Sequence, residues 1–309
     1  MLAGKDFNWQ IKGSLWDTRT FVTKYTTLSE NVLDFYTGKE LGEMWGFRTD
    51  GYFLSNEDAD AWVQDTYHRN GNLYKAYAGD LKFLDLNGDK DIDYGKGTLD
   101  DHGDLNIIGN VTPRYQFGLN LGFNWAGFGV NAFFQGVGKR DWYPQIETAL
   151  FYGMYNRVYS GWFPKNQTGD NYCKIDYSND NWVVTNADKH PYWTRRVGYA
   201  AYYGNSVMAM ENDYYLQNAA YIRLKNLTLD YTIPTDILQK VKIQKLRVYL
   251  SMENLWTWSP MFKYTENFDP EGIFVGDPDF TSAEKLYTVG AGYSYPMLKS
   301  YTLGINVTF

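Results

Sequence analysis

The sequence predicts an all-β fold, namely an antiparallel transmembrane β-barrel segment with long extracellular loops. Three observations favour it: a hairpin with one wholly apolar face, a final strand that alternates without a fault, and a composition without helical membrane spans. The hairpin lies in 114–137, where the odd positions from Tyr115 to Trp125 are all apolar or aromatic and the even positions are Gln, Gly or Asn. Since side chains alternate across a strand, one face is apolar and the other is small and polar.

The second half of this hairpin follows Ala126-Gly127. There the apolar residues move to the even positions, which are Phe128, Val130, Ala132 and Phe134. Two alternating runs joined by a tight, glycine-containing connection predict a β-hairpin, and each run is long enough to cross a bilayer as a tilted strand. A hairpin from a soluble sandwich is the alternative. The uncharged polar face, and aromatic rings at both ends of the apolar face, favour a membrane strand that lines a polar lumen.

The last nine residues form the second alternating stretch. One face carries Tyr301, Leu303, Ile305, Val307 and Phe309. Termini usually fray into solvent, so an aromatic end in the middle of a strand is expected of a barrel whose final strand closes against its first. A terminal Phe on such a strand also resembles the signal that the bacterial barrel-assembly machinery reads. A chain cut at a convenient point is the alternative.

Composition and charge narrow the class of protein further. Mean hydropathy is −0.49, and no run of eighteen apolar residues exists that could form a spanning helix. Aromatic residues make up 18% of the chain, which suits interfacial girdles or ligand stacking. The net charge of −7 and the lack of a basic stripe argue against a nucleic-acid partner. Met1 leads into a strand pattern without a signal peptide, so we expect an exported protein to be longer than this chain.

The remaining elements are predicted from alternation and from turn residues. We expect strands at 7–15 and 21–25, a strand pair within 43–53 that turns at Asp50-Gly51, and a short helix over 56–69. The strand 219–232 changes phase between Leu224 and Leu227, which predicts a β-bulge. One helical turn at 235–240, a strand at 246–256 and a loop at 259–288 lead to the final strand.

An acidic loop between Gly79 and Asp93 carries oxygen-bearing side chains at alternate positions. They are the candidate calcium ligands Asp85, Asn87, Asp89, Asp91 and Asp93. Ca²⁺ takes six to eight oxygen ligands, and an EF-hand-like loop supplies them at this spacing. The pattern departs from that loop at Lys90, where glycine is expected, and at Lys96, where the closing glutamate belongs; Asp100, Asp101 or Asp104 could close the site. The alternative is a solvated turn rich in Asp and Asn.

The segment 138–217 is crowded with aromatic rings and has weak periodicity. Such a length without clear elements is unusual in a compact soluble domain, whereas barrels tolerate it as extracellular loops. The rings predicted to bind substrate, for example by stacking on sugars, are Trp142, Tyr143, Trp162, Trp182 and Trp193. The alternative is that these rings pack the loops against each other.

Several motifs, taken in order, resemble a known family. They are GDLKFLDLNGDKDID, NIIGNVTPRYQFGLNLGFNWAGFGVNAFFQGVG, AAYIRLKNLTLDYTIP, LRVYLSMENLWTW, FDPEG and YTLGINVTF. Together they resemble the C-terminal part of SusC/RagA-type TonB-dependent outer-membrane transporters. The resemblance implies that 1–309 supplies the C-terminal strands, about eight to ten, of a large barrel of about 22 strands with a plugged lumen. The family's plug domain, its TonB-contacting segment and its export signal have no counterpart in the sequence.

The same resemblance implies a function and its partners. Full-length relatives reside in the outer membrane of Gram-negative bacteria and import glycans or peptides, together with a SusD-like lipoprotein and driven through TonB. An incomplete barrel would leave strand edges unpaired in lipid, which the bilayer does not permit. We therefore expect the remaining barrel and plug, from the same or a separate chain, as partners beside outer-membrane lipid.

Enzymatic chemistry is weakly represented, and we expect no enzyme. The three histidines, His68, His102 and His190, have neither the spacing of a zinc motif nor that of a catalytic triad. The competing hypothesis is a soluble β-rich protein that binds glycans or cleaves glycosides with its aromatic loops. A barrel segment needs detergent and partitions with outer membranes, whereas a lectin or hydrolase stays soluble, so fractionation separates the two.

Overall fold

The structure is a computed structural model that describes residues 7–26, 31–62, 66–69, 72–143, 152–153, 157–158, 172–194, 211–239, 242–266, 268–272 and 297–309. Within these ranges the regular secondary structure is mostly strand, as the sequence predicts. The strands in chain order are β1 (Asn8–Trp16), β2 (Glu43–Phe47), β3 (Thr49–Tyr52), β4 (Thr66–Arg69), β5 (Asn72–Lys75), β6 (Leu81–Phe83), β7 (Leu105–Asn110), β8 (Arg114–Trp125), β9 (Phe128–Lys139), β10 (Asp141–Trp142), β11 (Tyr152–Gly153), β12 (Arg157–Val158), β13 (Ile175–Asp176), β14 (Val183–Val184), β15 (Gln217–Asn218), β16 (Tyr221–Thr232), β17 (Lys245–Trp258) and β18 (Ser300–Thr308).

Helices are few and short. The described ranges contain α1 (Asn56–Asp60), α2 (Thr235–Leu238) and short 3₁₀ turns at Ala187–Lys189 and Pro260–Lys263. Within the described ranges no helix has the length and apolar character needed to cross a membrane.

The six long strands form one open antiparallel sheet in the order β1-β8-β9-β16-β17-β18. They run for nine to fourteen residues each, and β8 and β9 are the predicted hairpin with its turn at Ala126-Gly127. The predicted strands that became β1, β16, β17 and β18 are confirmed to within three residues at each end. The sheet is open at β1 and β18, so the expected closed barrel stays a prediction.

The register places residues of the same character, apolar or polar, side by side across the six strands. One row of paired residues is entirely apolar and consists of Trp9, Phe123, Val130, Leu229, Leu250 and Leu303. The next row is entirely small or polar and consists of Gln10, Gly122, Asn131, Thr228, Ser251 and Thr302. Because a register slip of one residue would exchange the two faces, the alternation read in single strands is maintained across all six.

The predicted bulge in β16 is confirmed. The register shifts between Leu224 and Asn226 against both neighbouring strands. The extra residue, Lys225, puts Leu224 opposite Phe134 and restores Leu227 to the same apolar face. Although the alternation changes phase in the sequence, the bulge keeps the apolar residues of β16 on the same face of the sheet.

Three local predictions were wrong. Phe21–Tyr25 forms no strand, since only Phe21 makes an isolated bridge, with Glu40. The segment 43–53 does not fold back on itself: β2 pairs with β7 and β3 with β6, because Asp50-Gly51 lies at an irregularity inside β3 rather than at a reversal. The helix over 56–69 is limited to α1, and β4 follows it, paired with β5.

The hydrophobic core lies outside the sheet. The connections 17–113, 140–220 and 259–299 all leave from one end of the sheet, and we call their described residues the cap. The opposite end has only the turn at Ala126-Gly127 and the short connection 233–244. Buried residues of the main core are Val32, Tyr36, Met44, Trp45, Phe47, Leu81, Phe83, Ile92, Leu105, Val111, Trp142, Tyr143, Trp193, Tyr215, Ala219 and Met261. The cap is therefore packed by its own side chains, and no buried residue of this main core belongs to the six long strands.

Candidate functional site

The apolar face of the sheet is exposed. On the edge strands β1 and β18, Leu303 is 74% exposed, Ile305 62% and Ile11 60%, and most apolar side chains of the inner strands are partly exposed. Soluble monomers rarely expose apolar patches larger than a few hundred Å², and larger ones mark an interaction surface. This face therefore has the character of a surface that contacts lipid or a large partner.

Aromatic rings border this face at both ends. At the end with the short turns the exposed rings are Trp9, Trp125, Phe128 and Phe309. At the cap end they are Tyr115, Trp256, Trp258 and Tyr301. Aliphatic side chains lie between the two groups. An apolar band between two aromatic girdles is the pattern of a membrane-spanning barrel wall, because amphipathic rings favour the membrane–water interface.

The opposite face is polar, and its groups bond to one another across strands. Asn120 and Asn131 exchange amide hydrogen bonds of 3.4 Å, and Asn226 donates to Ser251 Oγ at 3.3 Å. Other cross-strand bonds join Arg247 Nε to Asp230 Oδ1 at 2.8 Å and Ser300 Oγ to Glu253 Oε2 at 2.9 Å. Such a surface is suited to contact with water or with a polar solute.

Glycines in the sheet accommodate rings from neighbouring strands. Gly304 pairs with Tyr249, whose ring occupies the space where a Cβ would lie. On the apolar face Gly136 does the same for the ring of Phe117, and the carbonyl oxygen of Tyr221 is equally close. These contacts add to the specification of the register, since a slip would bring each ring against a side chain.

We expect Gly136→Ala to destabilise the sheet by about 1–3 kcal/mol, because the added methyl overlaps both a ring and a backbone carbonyl that cannot rotate away. The matched control is Gly122→Ala, whose Cβ would meet Gln10 at an ordinary 3.5 Å. The urea midpoint of the protein in detergent measures both variants. Equal midpoints for the two variants would contradict the argument.

A buried charge cluster joins the cap to the sheet. The Arg223 guanidinium, 3% exposed, contacts the carboxylate of Asp269 and donates to Glu271 at 2.7 Å. It also donates to Thr257 on β17 at 2.8 Å, and Lys225 Nζ lies 3.0 Å from Glu271. We call these residues, Arg223, Lys225, Asp269 and Glu271, the rim clamp. They bind the FDPEG segment to the first residues of β16.

Asp269 is held in its ionised form. Burial alone would raise the pKa of its carboxyl, but the N–H groups of Met297 and Glu271 and the Arg223 guanidinium together keep that pKa below its usual value. The Met297 and Glu271 N–H groups each donate at 2.9 Å. The rim clamp therefore also fixes the chain just before β18. The FDPEG motif was recognised in the sequence as part of the family resemblance, but no role was predicted for its two carboxylates.

A second, more exposed network connects β1 and β8 to the cap. Arg114 binds the carboxylate of Asp17, and Arg19 forms a two-bond pair with Glu40 at 2.5 and 2.9 Å. The hydrogen bond from Arg114 lowers the pKa of Asp17 to about 2. Exposed pairs of this kind contribute little to stability, so we assign it the role of orienting the chain as it leaves β1.

The predicted calcium ligands form a chain of tight turns in which side-chain oxygens accept backbone N–H groups of the same loop. Asp85 accepts from Gly88 at 2.6 Å and from Lys90 at 3.0 Å. The other acceptors are Asn87, Asp89, Asp91 and Asp93, each bonded one or two residues onward. Across the described residues, no three His, Cys, Asp or Glu side chains converge as a metal-ligating group. These bonds agree with the alternative of an Asx-rich turn, and calcium binding stays a prediction.

The predicted substrate-binding rings divide into three sets. Trp142, Tyr143 and Trp193 are buried in the main core of the cap, where Trp193 stacks on Tyr215 at 5.2 Å. Their burial favours the alternative in which these rings pack the loops together. Trp182 is half-buried at the cap surface, and Trp162 lies outside the described residues.

The known proteins that this chain resembles agree with the geometry of a barrel wall. No family model matches the sequence. Three TonB-dependent receptors of Formosa agariphila, P3, P26 and P39, are 25%, 26% and 24% identical over 278, 274 and 309 residues, each covering 88% of this chain. The chain spans only 22%, 23% and 25% of the length of these relatives.

Two solved structures share the fold. The RagAB peptide transporter matches with a TM-score of 0.55 over 98% of this chain, and the RagAB peptide importer in its open-open state matches with 0.51 over 100%. Both are 18% identical, and in each case 27% of the solved chain is covered. The resemblance read from the motifs is thereby confirmed: the chain is similar in sequence to TonB-dependent receptors, and its fold matches part of the RagAB structures.

Proposed function

We propose that this chain is part of the wall of a TonB-dependent importer in the outer membrane of a Gram-negative bacterium. Its role is to conduct a solute rather than to catalyse a reaction. The observation that carries the proposal is the row pattern of the sheet. Six paired apolar residues lie beside six paired small or polar ones, with the apolar face exposed between two sets of aromatic rings. A wall between lipid and an aqueous lumen needs this arrangement, since the two faces contact different solvents.

The free edges of the sheet support completion by further strands. Along β1 and β18 one side of the backbone has no partner strand among the described residues. Unpaired backbone groups cost several kcal/mol each in hydrocarbon. We therefore assign to the full importer a larger barrel, with about 22 strands and a plug in its lumen, of which residues 1–309 form the C-terminal part.

The partners follow from the same assignment. A plug domain supplies the contact with TonB, and a SusD-like lipoprotein covers the lumen opening on the cap side. The imported solute is a glycan or a peptide; the two solved structures with this fold are named as a peptide importer and a peptide transporter. The cap is then extracellular, and the short connection 233–244 faces the periplasm.

Fractionation tests the proposal. The complete gene product, tagged and expressed in a Gram-negative host, should sediment with the outer membrane and migrate faster on gels before boiling than after it, because detergent-stable barrels resist unfolding. Deleting the gene should stop uptake of the imported solute. A product that stays soluble without detergent would contradict the proposal and favour a soluble glycan-binding or glycoside-cleaving protein.

We also propose a structural Ca²⁺ in the acidic loop, held by Asp85, Asn87, Asp89, Asp91 and Asp93. Each carboxylate has about four lone-pair sites, so the backbone N–H groups it accepts leave oxygen sites for a metal. A ligand that binds only the folded state stabilises that state. Removing Ca²⁺ with a chelator is therefore expected to lower the melting temperature of the complete protein by several degrees.

Asp85→Ala or Asp89→Ala should abolish the sensitivity to chelation, while Asp236→Ala, in α2 at the other end of the sheet, should leave it intact. Thermal unfolding in EDTA and in excess calcium measures all three variants. Identical melting curves for the chelated and calcium-loaded protein would show that the acidic loop holds no structural Ca²⁺.

A further inference from the structure

An exposed aromatic tip lies on the surface of the cap. Strands β13 and β14 form a small hairpin, and we call its turn, residues 176–182, the hairpin tip. Its sequence is Asp-Tyr-Ser-Asn-Asp-Asn-Trp, and the residues from Asp176 to Asp180 are all exposed. The rim clamp and the two-faced sheet make no use of this element.

The hairpin tip is held in place by a separate part of the chain. Asn56 in α1 donates its side-chain amide to the carbonyl of Asp180 at 2.8 Å, and its backbone N–H to the carbonyl of Trp182 at 3.0 Å. The N–H of Glu57 donates to Asn181 Oδ1 at 3.1 Å. A surface turn fixed from outside loses little entropy when it binds a ligand, and this preorganisation favours affinity.

Three rings gather at this tip. Trp182 stacks on Tyr77, with centroids 5.0 Å apart and an interplanar angle of 28°. Tyr177 meets Trp182 edge to face at 4.9 Å and 78°, and is itself 56% exposed. Trp182, itself stacked on Tyr77, thus packs against one side of Tyr177 while more than half of Tyr177 remains open to solvent. A rigid, amphipathic ring of this kind supplies contact area at low entropic cost.

The polar groups around Tyr177 determine which ligand fits. Ser178, Asn179 and Asp180 offer a hydroxyl, an amide and a carboxylate within three residues. Asp176 accepts the Ser178 N–H at 2.9 Å, and this backbone bond, with one from the Ser178 hydroxyl, lowers the pKa of its carboxyl. The charges of the tip itself are therefore negative at neutral pH, and they repel anionic ligands.

We propose that the hairpin tip is a capture site for neutral oligosaccharides. The apolar face of a sugar ring packs on Tyr177, while hydroxyl groups bond to the adjacent hydroxyl, amide and carboxylate groups. A peptide fits less well: β13 and β14 are two residues long and offer little edge for strand addition, and the tip carries no cation for a terminal carboxylate. The inference rests on the proposed import function and names the solute as a glycan.

The test is equilibrium binding to the complete protein in detergent. The probes are maltoheptaose, xylohexaose, laminarihexaose and mannohexaose, with tetra-alanine as the peptide probe. We expect saturable binding of at least one saccharide. Tyr177→Ala should weaken it about tenfold, and Tyr177→Phe, which keeps the ring, should change it less than about twofold. Tyr25→Ala, which removes another exposed tyrosine of the cap, is the matched control and should bind normally.

The inference is overturned if no saccharide binds, if Tyr177→Ala binds as the wild type does, or if tetra-alanine binds instead and is lost with Tyr177. Because Tyr177 lies outside the sheet, its variants should retain heat-modifiable migration in the outer membrane. Normal membrane assembly without saccharide binding would refute the capture site alone. Failure of membrane assembly by the wild type would refute the import function, while the binding assay would still decide the role of the tip.

Discussion

Replacing Leu303 by lysine is expected to abolish stable membrane assembly, whereas lysine at the preceding residue, Thr302, is tolerated. Both positions are exposed and are neighbours inside β18, but their side chains lie on opposite faces. A lysine on the lipid face of a barrel costs about 2–4 kcal/mol near the bilayer midplane, while lumen positions accept polar residues. In water the same change at an exposed leucine would be within about 0.5 kcal/mol. The pair thus measures which solvent contacts each face.

The measurement is the fraction of the complete protein that is recovered in the outer membrane in heat-modifiable form. Thr302→Lys introduces the same charge into the same strand, so it controls for effects on the folding of β18 itself. Leu303→Gln, at the same position without a charge, should give an intermediate yield. Equal yields for Leu303→Lys and Thr302→Lys would show that the apolar face does not contact lipid, and the proposed function would fail with it.

The sheet could be predicted from the sequence because its signal is local and repeated. In β8 and β18 every second residue is apolar, and this period alone fixes the element type and the face. Even the bulge in β16 could be predicted from the sequence. The extra residue, Lys225, moves the apolar positions from even numbers before it to odd numbers after it. What could not be predicted from period alone is which strand lies beside which.

The cap could be predicted far less well. Its strands are two to six residues long, too short to show a period, and some of them pair with segments distant in sequence, as β2 does with β7. Trp142 and Trp193 were predicted to bind substrate because aromatic residues serve both binding and packing. Burial decides between these uses, and burial depends on the tertiary fold. Trp182, from the same predicted set, lies at the surface beside Tyr177, and no property of the sequence distinguished it from the others.

The rim clamp shows a similar limit for charges. Arg223 and Lys225 lie in strand β16, and Asp269 and Glu271 belong to a loop. Only the fold brings the four together, and more than forty positions separate Arg223 from either carboxylate in sequence. The only signal in the sequence was that the basic start of β16 and the acidic FDPEG motif carry opposite charges, and this signal by itself is weak.

Arg223→Met is expected to release the FDPEG segment from the sheet. The variant leaves the Asp269 carboxylate, 7% exposed, without its guanidinium partner, and removing one member of a buried ion pair costs about 3–5 kcal/mol. Since Glu271 and Met297 donate their N–H groups to Asp269, exchange of these amides with deuterium reports the opening. We expect exchange at least about a hundredfold faster, the change that about 3 kcal/mol produces.

Arg19→Met is the matched control, because it removes an arginine from an ion pair that is much more exposed, with Glu40, and should change exchange at Glu271 and Met297 by less than about fivefold. A pH series adds a second criterion. The pKa of Asp269 is lowered in the folded state, so the stability it contributes is present above the ordinary aspartate pKa and is lost as pH falls through the folded-state value. Asp269→Asn should therefore destabilise the segment at pH 7, and its difference from the wild type should shrink in acid. A difference that stays constant from neutral to acidic pH would mean that the charge of Asp269 does not hold the cap to the sheet.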